Sequence, residues 1–191
     1  MWVRGGIMSY ATECTGSTTI DRQQTSYGGY QPGAHMDVAY GQRFVPTSKC
    51  LDSVVLRMRR IENFDVDIEI RSDNGGIPAG NISGYLGWYR IPYTSIPTSF
   101  SNINIPFGII LPSLSPKWIV ICSEKYDPDF FDPAVFFDLD GEIITNATEY
   151  SAVKVANDAW NIGGTTHQLY YQTFKKTYVS CTVPGCGFTV V

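Results

Sequence analysis

The stretch Phe64-Asp65-Val66-Asp67-Ile68-Glu69-Ile70-Arg71 alternates apolar and charged side chains without a break. Only an extended backbone sends successive side chains to opposite faces, so these residues form a strand with one buried and one solvated face. The same period of two recurs along most of the chain. It predicts further strands over 39–45, 54–59, 85–91, 102–109, 117–123, 134–139, 151–155, 168–174 and 177–183. Pro92, Pro97, Pro106, Pro112, Pro116, Pro128 and Pro133 lie within or between them, in places that helices and central strands exclude. No stretch carries a helical apolar stripe. Many short strands separated by Pro, Gly and Asn turns predict an all-β chain folded as a single β-sandwich of jelly-roll type.

Within that frame the chain divides into three. Residues 1–36 are rich in Gly, Thr, Ser and Gln and read as an N-terminal arm, or a strand in need of a partner. Residues 37–179 form the sandwich. Residues 180–191 form a β-prone tail, in which Phe188, Val190 and Val191 are candidates for pairing with another chain. A hairpin onto 177–183 through Pro184-Gly185 is the alternative fate of that tail. If the strands 54–59 and 64–71 pair with one another, Arg57 and Arg59 sit opposite Asp65, Asp67 and Glu69 as a solvated sheet face.

Of the 191 residues, 17% are charged and 43% hydrophobic, and the formal net charge is −4. The longest basic cluster is Arg57, Arg59, Arg60, so no electrostatic footprint for nucleic acid is present. No apolar run reaches the length of a membrane span. The opening MWVRGGIMSY lacks the apolar core of a signal peptide. Other features nonetheless point to an extracellular or cell-surface location. There are five cysteines, and the sequons Asn81-Ile82-Ser83 and Asn146-Ala147-Thr148 make Asn81 and Asn146 candidate glycosylation sites. The expected disulfides are Cys14 with Cys50, pinning the arm, and Cys181 with Cys186, tying the tail. Cys122 shares a face with Trp118 and Val120 and reads as a buried thiol.

Chemistry-bearing motifs are sparse. His35 and His167 are the only histidines, and no zinc-protease, nucleophile-elbow, phosphate-loop or CxxC pattern is present. Asp127, Asp129, Asp132, Asp138 and Asp140 supply carboxylates for a glycosidase pair, but they fall in a Pro-rich loop, and no enzymatic activity is expected. Calcium is the one cofactor the residue types admit. Asp73-Asn74-Gly75-Gly76 and Asp138-Leu139-Asp140 offer hard oxygen ligands, with Asp73, Asn74, Asp138 and Asp140 as the candidate ligands. Turns select the same residues, and IRSDNGGIP reads first as a strand end and a reversal. Aromatic residues make up 14% of the chain. Tyr85, Trp88 and Tyr89, or Tyr126, Phe130 and Phe131, are candidate stacking platforms for sugars.

Several of these segments resemble a recurrent module in their order. Gln42-Arg43-Phe44 is followed by Val54-Val55-Leu56, then by Ile68 to Pro78 ending in Asp73-Asn74-Gly75-Gly76-Ile77-Pro78, then by Trp118-Ile119-Val120-Ile121-Cys122. Trp160 then precedes His167 to Phe174. Together they resemble the jelly-roll, carbohydrate-binding-like module of secreted and surface-anchored prokaryotic proteins, over roughly residues 38–174. The resemblance implies a non-catalytic sandwich attached to a surface or a larger assembly, and it carries over no functional residue. The expected function is a structural subunit that assembles with copies of itself into a fibre or surface layer by strand exchange through its ends. The alternative is a carbohydrate-binding or adhesion module with glycans as partners.

Overall fold

The structure, a computed structural model, describes residues 10–26, 33–34, 38–80, 84–123, 137–143, 149–155, 159–162, 167–182 and 189–190. These form strands β1 (Tyr10–Gln24), β2 (Gly33–Ala34), β3 (Val38–Phe44), β4 (Cys50–Arg60), β5 (Val66–Asn74), β6 (Ile77–Pro78), β7 (Tyr85–Ile91) and β8 (Ser101–Ile110). They continue as β9 (Lys117–Ser123), β10 (Phe137–Leu139), β11 (Gly141–Ile143), β12 (Ser151–Val155), β13 (Asn161–Ile162), β14 (His167–Leu169), β15 (Tyr171–Thr182) and β16 (Thr189–Val190). Tyr93–Ser95 forms a 3-10 turn. Among the described residues no helix is long and apolar enough to cross a membrane.

Two antiparallel sheets face one another. In the first, β4 is the central strand, with β15 and then β1 on one side and β8 on the other. The second runs β13-β12-β3-β9-β5 and ends on β7. Leu51, Val54, Leu56, Met58, Ile105 and Tyr171 from the first sheet meet Phe44, Val66, Ile68, Ile70, Ile119 and Ile121 from the second in one buried core. The alternation read over 64–71 is thus realised: Val66, Ile68 and Ile70 face the core, while Asp67, Glu69 and Arg71 face outward. The all-β sandwich is as expected.

Strand pairing departs from the sequence reading in one instructive place. β4 and β5 do not pair; they lie in opposite sheets. The link 61–65 carries Phe64 onto the core and uses the Asp65 carboxylate to accept the Tyr93 N–H at 2.8 Å, which anchors a crossover rather than a hairpin. Arg57 and Arg59 therefore find Asp140 at 2.9 Å and Asp138 at 2.7 Å. Asp67 takes Arg90 at 2.8 Å, and Glu69 takes Arg71 at 2.6 Å. The charges of the outer faces pair, but with partners other than those expected.

The segments set apart as 1–36 and 180–191 both contribute strands to the first sheet. Tyr10–Gln24 is a strand of the sandwich's own first sheet, running antiparallel to β15 from Tyr10 opposite Thr182 to Gln24 opposite Tyr171. Its Asp21 carboxylate accepts the Thr47 N–H at 3.1 Å, and Arg22 donates to the Val45 carbonyl at 2.6 Å. Cys14 and Cys50 form a disulfide, with Cα atoms 5.6 Å apart. At the other end, the separate strands expected over 168–174 and 177–183 include one continuous strand, β15, which crosses the 179/180 boundary. Val190 and Thr189 lie back against its Val179 and Ser180. Phe188, Val191, Asn81, Asn146 and the Cys181–Cys186 pairing lie outside the described residues.

IRSDNGGIP forms a hairpin. Asp73 pairs with Pro78 and Asn74 with Ile77, which leaves Gly75 and Gly76 as a two-residue loop. Their φ values of +65° and +93° match the primed turn whose twist suits two adjoining strands. A β-carbon on Gly76 would lie 2.8 Å from the Tyr150 hydroxyl, so packing as well as backbone conformation demands glycine there.

Candidate functional site

The outward face of the second sheet is a lattice that can be read straight from strand register. One row runs Ala152, Gly41, Val120, Glu69, Trp88 across β12, β3, β9, β5 and β7. A neighbouring row runs Arg43, Trp118, Arg71, Tyr85. On the opposite side of the first row, Lys154 is opposite Ala39, and Cys122, Asp67 and Arg90 face one another in turn. Small residues therefore fill the middle of this face, while aromatic and charged residues fill its edges. A depression is the direct result. A cavity of about 260 Å³ opens there, floored by Ala39, Val120 and Cys122 and walled by Glu69, Arg71, Tyr85, Lys154 and Trp160.

A bulge places the aromatic wall. Tyr85 and Trp88 are three residues apart, and in a regular strand they would face opposite ways. The ladder between β5 and β7 slips between Ile70 and Arg71, so both residues emerge on the outer face. Trp88 is 55% exposed and Tyr85 42% exposed. Tyr89, the third aromatic of the expected platform, instead faces Ile68 and packs on the core. The other expected platform, Tyr126, Phe130 and Phe131, lies outside the described residues.

Glu69 is the polar centre of the site. It is 8% exposed, and its Oε2 accepts from Arg71 Nε at 2.6 Å while its Oε1 accepts the Tyr85 hydroxyl at 2.9 Å. Arg71 Nη2 donates to the same hydroxyl, Nη1 donates to the Ala79 carbonyl at 3.0 Å, and the guanidinium carbon stands 4.2 Å from the Tyr85 ring centroid. Arg90 holds Asp67 through two bonds of 2.8 Å and lies 5.5 Å from the Trp88 ring centroid. Both exposed rings are thus backed by a guanidinium whose own position is fixed by a carboxylate. Burial, reinforced by the charge of Glu69, raises the Tyr85 hydroxyl above its ordinary pKa, so it stays protonated at neutral pH. Cys122 is pushed up to about 12 by burial and then by Glu69 and Asp67. A thiol so rarely ionised is no nucleophile.

In both expected calcium loops, the one with Asp73 and Asn74 and the one with Asp138 and Asp140, each aspartate is ion-paired to an arginine. Asp73 Oδ1 accepts from Arg43 Nε and Trp118 Nε1, each at 2.8 Å, and its Oδ2 accepts the Gly76 N–H at 3.1 Å. Asn74 stands at the hairpin tip opposite Ile77. Asp138 and Asp140 are held by Arg59 and Arg57. Among the described residues no three His, Cys, Asp or Glu side chains are grouped to hold a metal ion. His167 begins β14, and His35 lies outside the described residues.

What these features define is an all-β sandwich carrying a shallow, aromatic-walled polar cavity on one sheet face. Compared with known proteins, the chain matches no family model, no curated protein and no solved structure.

Proposed function

We propose that this chain is a non-catalytic carbohydrate-binding or adhesion module that works outside the cell. The observation that carries the reading is the juxtaposition of exposed Tyr85 with the Glu69–Arg71 pair in the wall of the cavity, with exposed Trp88 opposite Glu69 on β7. Sugars present apolar C–H faces and a rim of hydroxyls. Recognition therefore needs a ring to stack on and fixed charged acceptors and donors beside it. Glu69 Oε1 and Oε2 each keep a second lone pair for a hydroxyl donor. A cavity of about 260 Å³ suits a single sugar ring, with Trp88 extending the platform along β7. Glu69 is the one carboxylate lining the cavity among the described residues, whereas hydrolysis of a glycosidic bond requires two. The Cys14–Cys50 disulfide suits an oxidising compartment, and the resemblance to surface-anchored carbohydrate-binding-like modules agrees with this reading.

On a glycan array the protein is expected to bind a subset of saccharides. Trp88→Ala is expected to weaken that binding about tenfold or more. Because Trp88 is exposed, its thermal unfolding should be unchanged. An array with no hits, or a Trp88→Ala variant that binds as well as the parent, contradicts the reading.

Self-assembly into a fibre or surface layer is the second reading, and one observation favours it. Among the described residues β1 pairs with β15 alone, and Thr15 to Ile20 along it are exposed, so its outer edge offers a backbone ladder to another copy. Exchange of the arm itself is disfavoured by the disulfide and by the contacts of Asp21 and Arg22. On this reading, sedimentation velocity finds concentration-dependent assembly that Thr19→Pro abolishes. A monomer at all concentrations rejects it.

A further inference from the structure

The charges around the cavity do not balance, and the surplus points to the kind of sugar it takes. Glu69 is neutralised by Arg71 at 2.6 Å, which leaves the Lys154 ammonium. Among the described residues the other lysines are engaged. Lys175 meets Asp21 at 3.5 Å, Lys176 meets Asp52 at 2.7 Å, Lys49 lies 5.3 Å from the Tyr178 ring centroid, and Lys117 donates to the Ser115 carbonyl at 2.6 Å. Lys154 alone makes no hydrogen bond, ion pair or ring contact among them, although it is only partly exposed. In a chain of net charge −4 carboxylates are abundant, yet this cation is set beside an apolar floor of Ala39, Val120 and Cys122. A neutral ligand closing over that floor would strip water from the ammonium without replacing it. A ligand carrying an anionic group restores the lost interactions and is attracted more strongly as water leaves.

We propose that the cavity binds an acidic sugar, of the uronic or sialic acid type, with its carboxylate on Lys154 and its ring against the Tyr85 and Trp160 walls. Register supports the division of labour. Lys154 on β12 and Tyr85 on β7 extend over the face from opposite sides, across β3, β9 and β5, and both side chains line the same cavity. Glu69, on the Tyr85 side, would repel a carboxylate placed there and so fixes the orientation.

The inference rests on the saccharide-binding reading, and its test separates the two. The full chain is screened against matched pairs of glycans, each acidic member beside its carboxyl-reduced counterpart. Binding confined to the acidic members is expected, with Lys154→Gln weakening it about ten- to a hundredfold and Lys154→Arg retaining most of it. Circular dichroism should be the same for all three proteins. If reduced and acidic members bind equally and Lys154→Gln changes nothing, the acidic-sugar assignment falls and the saccharide reading stands. If no member of any pair binds, both fall.

Discussion

The double variant Cys14→Ser/Cys50→Ser is expected to lose about 4 kcal/mol of unfolding free energy relative to the parent chain. The bridge spans 36 residues of sequence, and closing a loop of that length in the unfolded chain removes conformational entropy of this order. A domain of this size has about 5–15 kcal/mol in hand, so the loss is a large fraction of the whole. The variant should still fold, because β1 retains its ladder with β15 and the contacts of Asp21 with Thr47 and Arg22 with Val45. Urea unfolding followed by circular dichroism measures the effect as a lower midpoint. An unchanged midpoint would mean that the bridge does not constrain β1 in solution. Removing residues 1–36 is a harsher change, since it uncovers the outer edge of β15 as well as breaking the bridge.

Asp73→Ala is expected to cost about 3 kcal/mol. Asp73 ties β3, β5, β9 and the hairpin loop together through Arg43, Trp118 and Gly76. Its loss leaves the buried Trp118 N–H without that acceptor and takes a carboxylate partner from Arg43. The packing of Trp118 edge-on against Tyr150, with centroids 5.6 Å apart, and the bond from the Tyr150 hydroxyl to the Gly76 carbonyl at 3.0 Å both depend on the same corner. Burial works against the Asp73 charge, but the bonds from Arg43, Trp118 and Gly76 outweigh it and hold the carboxyl below its ordinary pKa. A group depressed on folding contributes its stability fully above the unfolded value, near pH 4, and loses it as pH falls through the folded value. The gap in stability between the parent and Asp73→Asn should therefore be constant from about pH 5 to 7 and narrow below about pH 4. A gap that does not vary with pH would show that the charge of Asp73 is not what matters.

The reach of sequence reasoning here follows from what a period of two encodes. Alternation reports which face of a strand is buried, so Val66, Ile68 and Ile70 were readable, as was the turn at Gly75-Gly76. It does not report which strand lies alongside. Arg57 and Arg59 alternate as an outer face demands, yet their partners Asp138 and Asp140 are about eighty residues away, beyond any local pattern. The platform of Tyr85 and Trp88 was picked out by residue type, but its geometry depends on a bulge that the sequence marks only by Gly87. Tyr89, equally aromatic, was lost to the core for the same reason. Glu69 and Arg71 read as ordinary solvated strand charges. Their centrality arises because the hairpin of β5 and β6 and the bulged β7 enclose them, with the Ala79 carbonyl and the Tyr85 hydroxyl as partners. Lys154, Ala39 and Val120 carried no signal in isolation. They become a site only when register places small residues between larger ones. Composition leaves residues 1–36 open between an arm and a strand in need of a partner, and β1 finds that partner in β15. The Thr, Ser and Gln of β1 suit an exposed edge strand as well as they suit a free arm.

The central claim, that a saccharide stacks on the outer face of β5 and β7, is tested most directly at the indole N–H groups. In a nitrogen-15 correlation spectrum titrated with a glycan that the array selects, the Trp88 and Trp160 indole resonances should shift in a saturable manner. The Trp118 resonance should stay in place, because that N–H is buried on Asp73 at 2.8 Å. Saturable binding that leaves the Trp88 and Trp160 resonances unmoved would place the ligand elsewhere and contradict the account.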